Sequence, residues 1–304
     1  MATPAMVAEQ VQIDWENPEQ IGLWTDAWRR FRRNRLAVAS LAIVLLMIFL
    51  AIVAPLLQRL GVIADPTAQD VVNSYASPGS PGHILGTDNL GRDLLSKALF
   101  GAQVSLSIGI LVQFIVLGIG GGIGLVAGYY GGWIDNALMR FTDIMYAFPD
   151  LLFVLIIVAA LGPTYFNILF AIGFVAWVGL ARLVRGQVLS IKEKEYVEAA
   201  HAAGTSPSKI IFKHLLPNSL GPVIVTLTFG IPAAIFTEAV LDFLGVGLRP
   251  PQPSWGVMVF EGYAAVDSYP YLVLIPCIAL SLTMLAFNFI GDGLRDALDP
   301  RMRR

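Results

Sequence analysis

Six stretches of the chain, at 36–57, 102–127, 144–161, 165–181, 220–241 and 271–290, are each long enough to cross a bilayer and apolar all the way round. A backbone in hydrocarbon has no water to bond with and must close its own hydrogen bonds. Segments this long, with no alternation of apolar and polar residues, do so as helices and not as barrel strands. The expected fold class is therefore an all-α polytopic membrane protein with six transmembrane helices. Composition agrees, with 56% hydrophobic and 14% charged residues and a mean hydropathy of +0.68, far from the balance of a soluble domain. The segment ahead of the first stretch carries Glu9, Asp14, Glu16, Glu19 and Asp26, which does not suit a cleavable signal peptide. The first span is expected to be a retained signal anchor.

The net charge of -2 conceals a partition. Trp28-Arg29-Arg30-Phe31-Arg32-Arg33-Asn34-Arg35 stands directly before the first span, which by the positive-inside rule puts the N-terminus in the cytoplasm. Alternation then assigns to the same side the loop near 135–140, the long loop 182–218 and the tail ending Arg301-Met302-Arg303-Arg304. Arg182, Arg185, Lys192, Lys194, Lys209 and Lys213 all fall in that one long loop, whereas the outer segments hold only Arg59, Arg92, Lys97 and Arg249. The basic cluster, interleaved with Trp24, Trp28 and Phe31, is read as a topology signal and an anchor to membrane lipid headgroups. It is not read as a nucleic-acid surface.

The chain divides into a cytoplasmic leader (1–35), a first helix (36–57), an extracytoplasmic segment rich in turn formers (58–97), a five-helix core (98–292) containing the loop 182–218, and a cytoplasmic tail (293–304). The first span is expected to be peripheral. In the second, Gly120, Gly124, Gly128 and Gly132 recur every four residues, with Gly118 and Gly122 on a neighbouring line, a pattern for close helix packing in lipid. No Gly-x-x-x-x-Gly-Lys-Ser/Thr string exists, so no nucleotide or other cofactor is expected on this chain. His83, His201 and His214 lack partners at ligand spacing, no Gly-x-Ser-x-Gly elbow is present, and neither a metal site nor a catalytic residue is assigned. The lone Cys277 is read as a small core hydrophobe.

The long loop is the richest segment. Good helix formers run from Glu195 to Ala203, Gly204 suits a left-handed cap, and Ser206 with Pro207 suits the start of a second helix. Alanines 199, 200, 202 and 203 give a low-relief surface that fits a cleft in another protein, and Glu198 offers an acceptor. Before the second span, Thr87 or Asp88 can cap a short helix over 90–100. After the fifth, Pro250-Pro251-Gln252-Pro253-Ser254-Trp255 is stiff and ends on an indole suited to the headgroup level. Glu238 and Asp242, one turn apart late in the fifth span, are acids near the membrane and so candidates for function. Asp150 after Phe148-Pro149 marks a kink, and Asp143 is expected to pair with Arg140.

The string Glu198-Ala199-Ala200, three residues, Gly204, and then Leu216-Pro217 resembles the cytoplasmic signature of permease subunits of binding-protein-dependent ABC importers. His201 lies inside it, and His214 stands where the general pattern has isoleucine. Leu85-Gly86-Thr87-Asp88-Asn89-Leu90-Gly91-Arg92-Asp93 and Phe243-Leu244-Gly245-Val246-Gly247 with Pro250 to Gly256 are similar to the outer motifs of the dipeptide/oligopeptide/nickel group, and the extra first span suits its C-type subunit. Asp242 departs from that group's small or hydroxyl residue.

The resemblance implies a type I ABC importer permease fold with cytoplasmic coupling helices between spans four and five. It implies a bacterial or archaeal inner membrane, a homologous second permease, two ATPase subunits that use ATP and Mg, and an extracytoplasmic binding protein. Glu198, Ala199, Ala200, His201, Gly204, Leu216 and Pro217 would couple to the ATPases. Asp88, Arg92, Asp93, Glu238, Asp242 and Trp255 would serve the outer gate or the binding-protein contact. Peptides are the expected cargo, with nickel chelates, glutathione or another small solute as alternatives within the family. An independent ion-coupled carrier is the competing class; it would want ionisable residues at mid-bilayer, where the spans offer only Asp150, Glu238 and Asp242.

Overall fold

A computed structural model describes residues 23–299. The acidic part of the leader and the arginine-rich tail lie outside the described residues. Ten helices organise the described chain: α1 (Leu23–Arg33), α2 (Arg35–Arg59), α3 (Leu94–Tyr130), α4 (Gly132–Tyr146), α5 (Asp150–Leu161), α6 (Tyr165–Lys192), α7 (Glu195–Ala202), α8 (Pro207–Phe243), α9 (Trp255–Tyr263) and α10 (Tyr271–Leu298). Among these residues the only β pairing is two isolated bridges, Ser80–His83 and Thr87–Asp93.

Five helices, α2, α3, α6, α8 and α10, are long and apolar enough to cross a membrane, and α4 with α5 makes a sixth span if the bent pair is counted as one. The bend falls at the kink expected at Phe148-Pro149-Asp150, and what it corrects is the extent of the span expected at 144–161, since α4 already begins at Gly132. Pro149 cannot continue a helix and pushes the residue before it out of the helical region. The chain turns by 84° there. α5 alone has 12 residues, about 18 Å, short of the roughly 30 Å of hydrocarbon. Asp150 sits in its first turn, where a helix N-terminus favours an acid.

The apolar part of α2 is only 22% buried against 56% for α6, so α2 is peripheral and α6 central. Leu45, Leu46, Phe49 and Ile52 of α2 face outward, while Ile168, Ile172, Leu180, Val184 and Val188 of α6 are enclosed. The glycine seam joins α3 to α6: a Cβ at Gly120 or Gly124 would lie 2.5 Å from the carbonyl of Trp177 or Ala181, and one at Gly128 2.7 Å from Val188 Cβ. Only with bare Cα atoms can these backbones come so close. Gly118 and Gly122 face open space. Gly132 is not part of the seam but opens α4. The expected Arg140–Asp143 pair is also corrected, since Asp143 bonds Arg182 across to α6 at 2.8 Å.

Candidate functional site

The expected site residues fall at the two ends of the bundle, with a cavity between them. At the Gly204 end, the helix of the fourth span outlasts its apolar stretch. α6 runs past Arg182 and Arg185 to Lys192, because those guanidiniums bond Asp143 and Asp135 instead of ending the helix. α7 follows, and Gly204 closes it at φ +73 with Thr205 N–H bonded to the Ala200 carbonyl (3.1 Å) and Gly204 N–H to that of His201 (3.0 Å). This is a Schellman closure, which needs a left-handed residue at that position.

Ser206 makes no side-chain cap, contrary to expectation, and the second helix is not a short one. It continues from Pro207 through a π-helical turn at Ile211–Leu215 into the fifth span, so Leu216 and Pro217 belong to α8 itself. Val197, Ile210 and Leu215 are fully buried and hold the loop to the core. Glu198, Ala199, His201, Ala202 and Gly204 are exposed, Ala200 is half-buried, and the rings of Tyr196 and Phe212 stand out beside them. The His201 ring stacks on Tyr129 at 6.1 Å and Tyr196 lies 6.0 Å from His214. The result is a rigid knob with one face sewn into the protein and the other bare.

At the Asp88 end the charges are closed in. Asp88 takes Arg92 Nε at 2.7 Å and Lys97 Nζ at 2.7 Å, and Glu261 takes Arg92 and Lys97 at 2.6 and 2.5 Å. The four side chains are between 4% and 13% exposed. Asp88 also accepts the N–H groups of Leu90 and Arg92. Burial pushes the Asp88 carboxyl up, but Lys97 and Arg92 outweigh it and hold the group below its ordinary value. Burial likewise works against the Arg92 cation, and Glu261 and Asp88 reverse the effect, raising it. Gly91 makes the fold of this segment possible, since a Cβ there would fall 1.7 Å from the Asp70 carbonyl.

The helix expected over 90–100 with a Thr87 or Asp88 cap begins instead at Leu94, capped by Asp93, which accepts Ser96 N–H at 2.8 Å. Asp93 also meets His83 Nδ1 at 3.1 Å. Thr87 serves the preceding segment, accepting the Ala76 N–H. Sequence reasoning placed Asp88 and Arg92 in one outer motif but did not pair them, left Lys97 out of it and missed Glu261 altogether. Glu261 is 164 residues from Lys97 in the chain, and nothing local marks it.

Trp255 is not at a headgroup surface. It is 1% exposed, and its indole N–H donates to the Ala98 carbonyl at 3.1 Å. An indole needs one polar partner, and this one finds it inside the protein. Ser254 caps α9 and donates to Asp242, whose other oxygen accepts Leu248 N–H at 2.6 Å. Glu238 accepts from Ser105 at 3.1 Å and shares a side-chain hydrogen bond with Asp242. At 0% and 1% exposure, Glu238 and Asp242 tie the loop 244–254 to α8 and α3 and line no open passage in this structure.

Between the two ends lies a cavity of about 530 Å³ bounded by α3, α5, α6 and α8. Gln113, Val154, Ile172, Thr226 and Gly230 line it, with Tyr146 and Asp150 at the α4–α5 corner. Among the described residues no group of three or more His, Cys, Asp or Glu could hold a metal ion.

Residues 120–304 match the family described as the binding-protein-dependent transport system inner membrane component, and residues 22–78 match the N-terminal TM domain of oligopeptide transport permease C. The chain is 41% identical to the oligopeptide transport system permease protein OppC of Bacillus subtilis (strain 168), over 94% of this chain and 92% of that one. It is 45% identical to the Haemophilus influenzae OppC, over 97% and 92%. It is 40% identical to the glutathione transport system permease protein GsiD of Pectobacterium atrosepticum, over 92% of each. Among solved structures, the inward-facing MetNI methionine ABC transporter shares the fold at a TM-score of 0.52 and 17% identity, covering 67% of this chain and 96% of that one.

Proposed function

The chain belongs to the family of binding-protein-dependent transport system inner membrane components, and from that premise we propose that it forms half of the translocation pathway of an ATP-driven importer of di- and oligopeptides. It is a multi-pass protein of the inner membrane. Its N- and C-termini face the cytoplasm, with the Gly204 end inside and the Asp88 end outside. It pairs with a homologous second permease and two ATPase subunits, and an extracytoplasmic binding protein lands on the Asp88 end. This chain binds no nucleotide and catalyses nothing; ATP and Mg belong to the ATPases.

The observation that carries the reading is α7, a short helix closed by a left-handed glycine, anchored through Val197 and bare over Glu198, Ala199 and Ala202. A surface of small side chains on a fixed frame suits the cleft of a moving partner. Energy enters as the difference in affinity of the ATPase pair for two permease states, so the permease needs no reacting group of its own. The cavity between α3, α5, α6 and α8 is this chain's wall of the path. Peptide cargo follows from the relatives named for oligopeptides and dipeptides; glutathione, itself peptide-like, is the second reading, supported by the relatives named for it. An ion-coupled carrier finds no support in this family.

Ala200→Cys, co-expressed with the ATPase subunits, is expected to crosslink to one of them. In proteoliposomes holding the assembled complex, peptide uptake is expected only with ATP and binding protein. Uptake driven by an ion gradient in vesicles of this chain alone would end the reading.

A further inference from the structure

Tyr129, next to last in α3 and 7% exposed, is where three elements meet. Its carbonyl accepts Lys192 Nζ, from the last turn of α6, at 2.7 Å, and the same ammonium lies 5.7 Å from its ring centroid. The His201 ring of α7 lies almost parallel to it, 17° apart, at 6.1 Å. One residue earlier, Gly128 is pressed on Val188 of α6. Two residues later the chain passes through Gly131 and Gly132, at φ +65 and +55 with open space beside both, into α4. Asp135 of α4 is held in a two-pronged bond by Arg185 of α6, at 2.5 and 2.6 Å. The ends of α3, α4 and α6 are thus fastened as one block, and α4 runs on to Tyr146 at the cavity wall, where Asp150 opens α5.

We infer that Tyr129 is a positioning residue that passes displacement of α7 to α3 and α4, through ring contact with His201, and so to the cavity wall. The inference rests on the reading of α7 as the ATPase-docking helix. Besides the Tyr129 ring, α7 is held by the chain from α6, by the buried Val197 and by Tyr196 beside His214 of α8; the His201–Tyr129 stack is its ring contact with α3. The Gly131–Gly132 joint allows α4 to follow the end of α3 without breaking either helix, since only glycine adopts two consecutive left-handed conformations at no steric cost.

The test uses the assembled transporter in proteoliposomes, reading peptide moved per ATP hydrolysed. For Tyr129→Ala the ratio is expected to fall about tenfold while hydrolysis continues, a size typical of one coupling contact. Tyr129→Phe, which keeps the ring, is expected to restore the ratio. His201→Ala removes the opposite ring from an exposed position, leaves the α3–α6 seam untouched, and is expected to lower the ratio in the same way. Ala200→Cys crosslinking to the ATPase is expected to persist in the Tyr129→Ala background, which separates loss of transmission from loss of docking. An unchanged ratio in Tyr129→Ala or His201→Ala, or a Phe variant as defective as the Ala variant, would overturn the inference. Absence of the crosslink with Tyr129 intact would remove the docking reading and this inference with it.

Discussion

The two ends of this molecule treat charge in opposite ways. At the Asp88 end two acids and two bases from segments far apart in sequence are enclosed and bonded to one another. At the Gly204 end Lys194, Glu195, Glu198, Lys209 and Lys213 are exposed, and none is in an ion pair among the described residues. Enclosed charges lack water and are held by one another and by backbone donors, so their geometry is fixed. Exposed ones are solvated, contribute little to stability, and are free to meet a partner. One end is built to keep its shape and the other to be gripped.

The largest expected effect falls on the enclosed end. Lys97→Met leaves Asp88 and Glu261 sharing one guanidinium and is expected to cost about 3–5 kcal/mol, the usual penalty for breaking a buried pair from one side. Thermal unfolding of the purified protein in detergent measures it. The double variant Lys97→Met with Glu261→Met, which restores charge balance, is expected to recover much of the loss. Glu198→Gln at the other end is expected to change stability by less than about 0.5 kcal/mol. Equal losses from Lys97→Met and Glu198→Gln would erase the contrast between the ends.

Between the two ends runs the α3–α6 seam, and its glycines supply a graded test. Gly124→Ala puts a methyl 2.5 Å from the Ala181 carbonyl and is expected to cost about 1–3 kcal/mol through forced separation of the helices. Gly122→Ala, facing open space in the same helix, is expected to be neutral or to gain about 0.5–1 kcal/mol from lower backbone entropy in the unfolded chain. Gly204→Val meets no neighbour but forces a branched side chain into φ +73, a strain of about 1–2 kcal/mol. That strain is expected to bend α7 away from its docking pose and to uncouple ATP hydrolysis from transport, with little change in the unfolding midpoint.

Much of this was legible beforehand for definite reasons. Span-length apolar runs announce membrane helices because lipid leaves the backbone no other solution, and the chain break at Phe148-Pro149 announces itself because proline removes a donor. Gly204 was readable because only its position after an alanine-rich helix asks for a left-handed cap. The enclosed charges were not readable. Lys97 and Glu261 lie 164 residues apart, and each alone looks like a polar residue beside a span. Trp255 misled because an amphipathic ring suits an interface and a buried pocket equally, and only its neighbour Gly101, which lets Ser254 and Trp255 come within 3.3 Å of a Cβ placed there, decides between them. The length of α6 was hidden for a related reason: arginines pair sideways with Asp135 and Asp143, so polarity arrives before the helix stops.

The smallest effect is a pH dependence confined to the enclosed end. Asp88 is desolvated, which raises its carboxyl, yet Lys97 and Arg92 more than compensate and leave it below 3.8 when folded. A carboxyl depressed by folding adds stability that is fully present above its unfolded value and disappears as pH falls through the folded one. The network should therefore be insensitive to pH from neutrality down to about pH 4 and loosen below it. Arg92, pushed up further still by Glu261 and Asp88, stays charged throughout and adds no slope in that range. Lys97→Met removes one of the two cations that depress Asp88, so its penalty should be largest at neutral pH and shrink in acid, where a protonated Asp88 no longer needs the lysine. Unfolding midpoints of the two proteins measured from pH 7 to pH 3 are expected to converge. If they separate further in acid, Lys97 is not what stabilises the charged form of Asp88, and the enclosed end is held by packing instead.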